Sequence, residues 1–453
     1  MKVAILGGGI SGIGVAHFLL AMSDDPSLEV HLFEKRPTMG GVCQTIELDG
    51  FRFDLGPHNI HSIDQWFNGY MEALLGEEYR ARTYQPLVVF RGHFVPYPMK
   101  GLDILKSVSL LTSASCAGSF LWSRIESLFT EWKDDSFEDF IINRFGRKLY
   151  RIFFGPFTEK TWGVPGRFIS ADFGRQRIGV FTLWDLFKRT VLGIKPKTMD
   201  TEEDPFLNSR CVYPDFGSGT IIDSLLEPCL ADARFHSHLS SSVEGLDRNG
   251  RGFIVRSGEL ELEADICFSS LALTDLCRML GLPMPGLEYV STRFVLLMLD
   301  RESVFGKTPW VYFSDDRTRF NRISEPRNMS PLMAPEGKTS LCVEFTTTGR
   351  DDISMASHDR LTEWAVKGLE QYGLVKPGNL ISSHVIDWEN TYPLRTLGYR
   401  EEVSKALEEV SSIPGIITHG RLGRFEYMNM DHCVIEARAL CLRLKQQRTE
   451  SYF

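Results

Sequence analysis

The chain has 453 residues, 43% hydrophobic and 24% charged, with a formal net charge of −9. That length gives about three domain equivalents at roughly 150 residues each, or two interleaved domains, in an ordinary globular composition. The acidic balance argues against a general nucleic-acid surface. The nine cysteines are scattered without a CxxC pair, so they read as reduced cytoplasmic thiols and no metal site is expected.

The first predicted element is a strand that begins at residue 2 with its apolar pattern over Val3 to Leu6, and no signal peptide is expected before it. It runs into Gly7, Gly9, Ile10, Ser11 and Gly12, then a helix pattern through Ile13, Val15, Ala16, Phe18 and Leu19. A second apolar run, Val30 to Phe33, ends in Glu34. Strand, GxGxxG turn, helix, strand and acid form the fingerprint for holding a dinucleotide. The glycines let backbone approach a pyrophosphate, the helix N-terminus faces its charge, and the acid accepts from a ribose hydroxyl. After the acid come Lys35, Arg36 and Pro37, then Gly40, Gly41 and Val42. A second glycine pair lets backbone pass close to a ligand longer than the nucleotide half. This E-K-R-x-x-x-G-G extension resembles that of FAD-binding proteins, and FAD is the expected cofactor.

From 62 to about 200 the pattern turns helical, over Ile63 to Leu75, Gly101 to Leu121, Phe137 to Phe154 and Leu183 to Val191. Leu105 to Trp122 is the most apolar of these stretches, but Lys106 and its serines suit a buried or groove-lining helix, so no membrane span is expected. Residues 192 to 209 carry Gly, two Pro and several acids, and read as an exposed loop. Short strands follow over Ser241 to Leu246, Gly252 to Ser257, Glu259 to Ala264 and Ile266 to Ser269, with a turn at Asn249-Gly250. Residues 290 to 346 continue as strands suited to an antiparallel sheet, with helices at His358 to Gln371 and Glu401 to Val410. The chain closes with a strand, Gly415 to His419, and a helix from about Asn429 to Lys445. The expected fold is α/β, a discontinuous Rossmann-like FAD-binding domain with a helical cap and an antiparallel-sheet substrate domain. The first takes 1–61 with 211–275 and 410–453, the cap 62–210, and the sheet domain 276–409.

Five segments carry a family resemblance. Gly420-Arg421-Leu422-Gly423-Arg424-Phe425-Glu426-Tyr427-Met428-Asn429-Met430-Asp431 resembles the C-terminal signature of UDP-galactopyranose mutases, with Asn429 where those proteins usually have an aspartate. Gly56-Pro57-His58-Asn59-Ile60-His61 resembles their G-x-H-x-x-H loop, and Phe157 to Trp162 their Y-T-x-K-Q-W, with Phe157 replacing a tyrosine. Arg177, or Arg175 as an alternative, falls near the place of a mutase arginine, and Arg322 to Glu325 resembles T-R-x-x-E. More loosely, the whole chain is similar to the amine oxidase and protoporphyrinogen oxidase-like flavoproteins.

The resemblance implies a nucleotide-sugar pyranose/furanose mutase in which reduced flavin N5 attacks the anomeric carbon. The alternative is an oxidoreductase of the amine oxidase, protoporphyrinogen oxidase or desaturase type removing hydride from a small molecule. It implies catalytic roles for His61, Arg177, Arg322 and Tyr427, and substrate contacts at Trp162, Phe157, Tyr392, Tyr399 and Asn429. Cofactor contacts fall to Gly7, Gly9, Ile10, Ser11, Gly12, Glu34, Lys35, Gly40, Gly41, Val42, His58, Val243, Gly420, Arg421, Met430 and Asp431. Arginines suit a diphosphate because guanidinium forks pair bidentately with phosphate oxygens; Arg322 has Glu325 as a competing partner. An external reductant such as NAD(P)H and a homo-oligomer are compatible with this reading.

Overall fold

The computed structural model describes residues 1–97, 109–126, 128–129, 133–177, 210–250 and 252–450. The expected helix Leu183 to Val191 and loop 192–209 lie outside the described residues, as does the start of the expected helix from Gly101.

A five-stranded parallel sheet carries the glycine turn. Its strands run in the order Ile416–Thr418, Ile266–Ser269, Lys2–Leu6, Glu29–Phe33 and Phe235–His238. Central pairs such as Ile5 with Leu32 and Val3 with Ile266 are fully apolar, because both sheet faces are covered. Three separate passes of the chain supply these strands. The helix Ile10–Met22 is buried on nearly every side. It lies between the helices Gly219–Leu230 and Met430–Glu450. The opposite sheet face packs Leu6, Phe33 and Cys267 against Leu246, Phe253 and Val255 from the small antiparallel sheet of residues 245–264.

A second, seven-stranded sheet runs Leu380–Leu394, Glu288–Leu299, Thr339–Thr347, Arg322–Ser324, Trp310–Phe313, Leu87–Phe90 and His93–Pro96. It is antiparallel except where Trp310–Phe313 lies beside Leu87–Phe90. The helix His358–Gln371 covers one face, burying Leu361, Ala365 and Leu369 on Val295, Leu341 and Phe345. Residues 87–96 therefore depart from the helical character expected of that stretch; Leu87, Val88, Val89 and Phe90 form a buried β-rich run.

The helical part is built on aromatic packing. The expected helix Phe137 to Phe154 is broken at Gly146, whose φ of +85° ends one helix at Phe145 before a new turn begins at Arg147. Phe137, Phe140, Tyr150, Phe153 and Trp162 share one core with Val88 and Phe90 of the large sheet. Among the described residues no helix is long and apolar enough to cross a membrane.

Candidate functional site

The glycine turn has the shape of a cradle. A Cβ at Gly12 would lie 2.0 Å from the Gly7 carbonyl oxygen, so no other residue fits without moving backbone. The Glu34 carboxylate accepts from the Gly8 and Arg36 amides at 2.8 and 2.9 Å, which fixes the acid beside the turn. Gly40, at φ +113°, donates its amide to the Gly8 carbonyl at 2.8 Å. The second glycine pair thus lies directly on the first. Val42 packs against the core that holds Ile10, while Ser11 is buried at the helix start. Gly420, at φ +74°, closes this cradle: a Cβ there would meet Ser11 Oγ at 2.6 Å, and its amide donates to Glu436 Oε2. The helix beginning at Met430 brings Met430 and Asp431 alongside, both buried.

Orphaned polar atoms gather in the same region. His58 Nδ1 and both ring nitrogens of His419 are buried without a hydrogen-bond partner, and Asp431 Oδ1 has only a 3.4 Å contact with His432 Nδ1. Buried polar atoms are rarely left so. Burial, together with the Arg421 and Arg322 charges, pulls the His58 imidazole down to about 3, so it is neutral. Glycines that leave room for a ligand and polar atoms that lack partners fit a bound dinucleotide.

Two largely buried guanidiniums sit next to this cradle. Arg421 donates to the Met428 carbonyl at 2.8 and 2.5 Å. It faces the rings of Tyr392 and Tyr427 at 5.0 and 5.4 Å. Among the described residues it makes no ion pair with a carboxylate. Arg322 forms a two-pronged ion pair with Glu344, at 2.6 and 2.7 Å. Its expected competitor, Glu325, is instead taken by the Val304 and Phe305 amides and Thr339. Burial raises the Tyr392 hydroxyl, and both guanidiniums work against that rise, which places the tyrosine between them.

The aromatic residues form the wall beyond. Tyr392 and Tyr427 stack at 5.8 Å and 5°. Trp162 meets Tyr392 edge-on at 6.0 Å and Phe173 at 4.9 Å. Trp162, Phe173 and Tyr427 border a small open cleft lined also by Ile169, Gln176, Pro393 and Arg395. Phe157 stacks on Phe153 and meets Tyr312, whose ring lies 5.9 Å from the Arg322 guanidinium.

Other expected positions fall elsewhere. The Tyr399 hydroxyl donates to Asp172 at 3.0 Å and its ring packs on Phe425, so it ties two elements together outside the cleft. Lys35 is paired with Glu389 on the surface, both side chains more than half exposed. Val243 is half-buried, two residues past Ser241, whose amide donates to the Glu34 carbonyl. His61 is held by the Asn59 amide at 2.9 Å, and Asn429 is exposed just ahead of Met430. Arg177 ends the helix Ala171–Arg177, and its side chain lies outside the described residues; Arg175 is engaged with Asp172 and the Asp134 carbonyl. The residues without a sequence expectation are Glu344, Tyr312 and His419. Glu344 had a signal: one acid inside the apolar strand Thr339–Thr347 needs a cation beside it.

Residues 5–75 match the family of NAD(P)-binding Rossmann-like domains. That segment is a dinucleotide-binding unit. A solved structure of a reduced UDP-galactopyranose mutase superposes with a TM-score of 0.84 at 23% identity, covering 98% of this chain and 96% of that one. The chain has the fold of that mutase. A solved structure named a protoporphyrinogen oxidase, from Exiguobacterium sp. 255-15, follows at TM-score 0.75 and 18% identity, covering 98% and 99% of the two chains. The expected α/β class with a Rossmann-like unit holds, and so does the expected likeness to mutases and oxidases. FAD, the expected cofactor, agrees with a dinucleotide unit set in this flavoprotein fold. In sequence, a carotenoid 3,4-desaturase of Haloarcula japonica is 44% identical over 55 residues, 12% of this chain and 10% of that protein. The first three curated relatives are matched over only 10% to 18% of their length.

Proposed function

We propose that the protein is an FAD-dependent nucleotide-sugar mutase that interconverts pyranose and furanose rings, with the three-part division of the chain given above. The observation that supports this most is Arg421, a largely buried guanidinium with carbonyl and aromatic neighbours and, among the described residues, no ion pair with a carboxylate. A buried cation in such a place calls for an anion, and a nucleoside diphosphate supplies one beside the cofactor cradle. When bound, reduced FAD supplies the nucleophilic N5 that meets the anomeric carbon. The chain's own residues bind and orient. Arg421 and Arg322 hold the diphosphate in the ground state and as it departs and returns. Glu344 keeps the Arg322 fork oriented. Tyr392, Tyr427 and Trp162 give flat surfaces to a base or sugar and exclude water. His58, uncharged, accepts or donates a hydrogen bond without adding charge. Arg177 and His61 keep the catalytic roles, and Asn429 the substrate contact, that the resemblance implies.

A second reading rests on a specific observation. Arg322 is already balanced by Glu344, and Phe153, Phe157 and Tyr312 make that wall apolar, which suits hydride removal from a hydrophobic substrate. The desaturase match is consistent with it. Anaerobic photoreduction of the bound flavin, followed by a panel of UDP, GDP and dTDP sugars, separates the two. Ring-contracted product supports the mutase. Bleaching of oxidised flavin by an apolar substrate, with no sugar product, supports the oxidoreductase.

A further inference from the structure

At the open edge of the parallel sheet, away from the cleft, three histidines and a glutamate converge. His31 and His236 are registered partners on adjacent parallel strands, so their side chains leave the same sheet face side by side. Glu29 lies two residues before His31 and projects on that face too. The ligand atoms of Glu29, His31 and His236 all lie within 4.8 Å of one another. His31 Nε2 is 3.4 Å from Glu29 Oε2. For metal–ligand bonds of about 2.0–2.1 Å, a tetrahedron has edges of about 3.3 Å, so that separation is already one edge of a zinc site. The His31 and His236 rings are stacked with centroids 4.6 Å apart, and a small rotation of the exposed His236 ring turns a nitrogen towards the same point.

The surrounding groups match what such a site uses. His31 Nδ1 lies 3.1 Å from His238 Nε2, so the ring nitrogen not facing Glu29 is held by a neighbour. Ligand histidines are commonly oriented in this way. His238 in turn stacks on Phe33 at 4.6 Å. Among the described residues a competing cation is Lys2, whose ammonium sits 3.4 Å from Glu29 Oε2 on a half-exposed, flexible stem. Imidazole and carboxylate together suit zinc and its late-transition neighbours and suit magnesium or calcium poorly.

We propose that Glu29, His31 and His236 bind one Zn²⁺-type divalent ion, with His238 orienting His31 and water in the fourth position. The ion clips the edge strand Phe235–His238 to its neighbour. That edge strand matters to the cradle, because the His238 carbonyl accepts from the Glu34 amide at 2.9 Å. The expectation of no metal rested on cysteine spacing; these ligands lie about two hundred residues apart and only the strand pairing joins them.

The test uses the purified full-length protein, stripped with chelator and titrated with Zn²⁺ by calorimetry and with Co²⁺ by visible absorption. One equivalent per chain with the intense bands of tetrahedral Co²⁺ is expected, together with a Zn²⁺-dependent rise in melting temperature. His236→Ala and Glu29→Gln, both at solvent-accessible positions that leave the fold intact, should each weaken binding at least about tenfold, and His238→Ala by roughly 10–100-fold. His384→Ala, on the other sheet, should bind as wild type. Absence of a saturable site, or wild-type affinity in folded His236→Ala and Glu29→Gln, would overturn the proposal.

Discussion

The cofactor cradle and the proposed substrate cleft are built on opposite plans. The cradle is made by omission: Gly12, Gly40 and Gly420 leave space or take special backbone angles, and buried ring nitrogens of His58 and His419 beside them lack partners. The cleft and the two guanidiniums beside it are made by addition: charges and rings from strands 310–313, 322–324, 339–347 and 380–394 and from the segment 420–428 are brought together. One of its two cations already has a carboxylate. A site made by omission tolerates almost no change of volume. A site made by addition is sensitive to a change of charge.

That contrast can be broken at its strongest point first. Gly12→Ala places a methyl 2.0 Å from the Gly7 oxygen, and complete loss of bound flavin is expected from the absorbance of the purified variant. A protein that remained yellow would remove the cradle half of the comparison. Next comes Glu344→Leu, which strands Arg322 in a buried site. Denaturant unfolding should show a loss of about 3–5 kcal/mol, whereas Glu344→Gln, which keeps hydrogen bonds to the fork, should lose less.

A pH series probes His419, fully buried and pulled down to about 3 by burial alone. Its folded pKa lies below the unfolded value near 6.5, so its contribution is intact above pH 6.5. Stability falls as pH drops from there towards 3, because the unfolded chain takes up the proton first. The slope should be about 1.4 kcal/mol per pH unit for this residue, and His419→Asn should flatten it. The smallest effect belongs to Lys35→Ala. An exposed pair with Glu389 is worth less than about 0.5 kcal/mol, measurable as an unchanged melting temperature.

The same contrast explains what could be read without coordinates. Gly7, Gly12, Glu34, Gly40 and Gly41 lie within one short segment, and local backbone demands mark them in the sequence itself. The helix His358–Gln371 was equally legible, since its apolar positions recur at helical spacing and Ser357 caps it. The strand Leu380–Leu394 was not. Its exposed positions include Ser383, Asp387 and Glu389 on one face while Ser382 and His384 interrupt the other, which hides the alternation, and Tyr392 sits at its end without a local signal. The carboxylate that pairs with Arg322 is hidden for a related reason. Glu325 is near in sequence, but Glu344 is opposite in the sheet register, and only strand pairing decides between them. Gly146 broke a helix that apolar spacing alone ran straight through.

The most direct test is a titration of the purified yellow protein with UDP, following the flavin spectrum, in the wild type and in Arg421→Gln and Arg322→Gln. The account predicts a saturable spectral change in the wild type that is weakened by at least about tenfold in each variant, a loss of about 1.4 kcal/mol. A spectrum indifferent to UDP, or an affinity unchanged when both guanidiniums are removed, would contradict it.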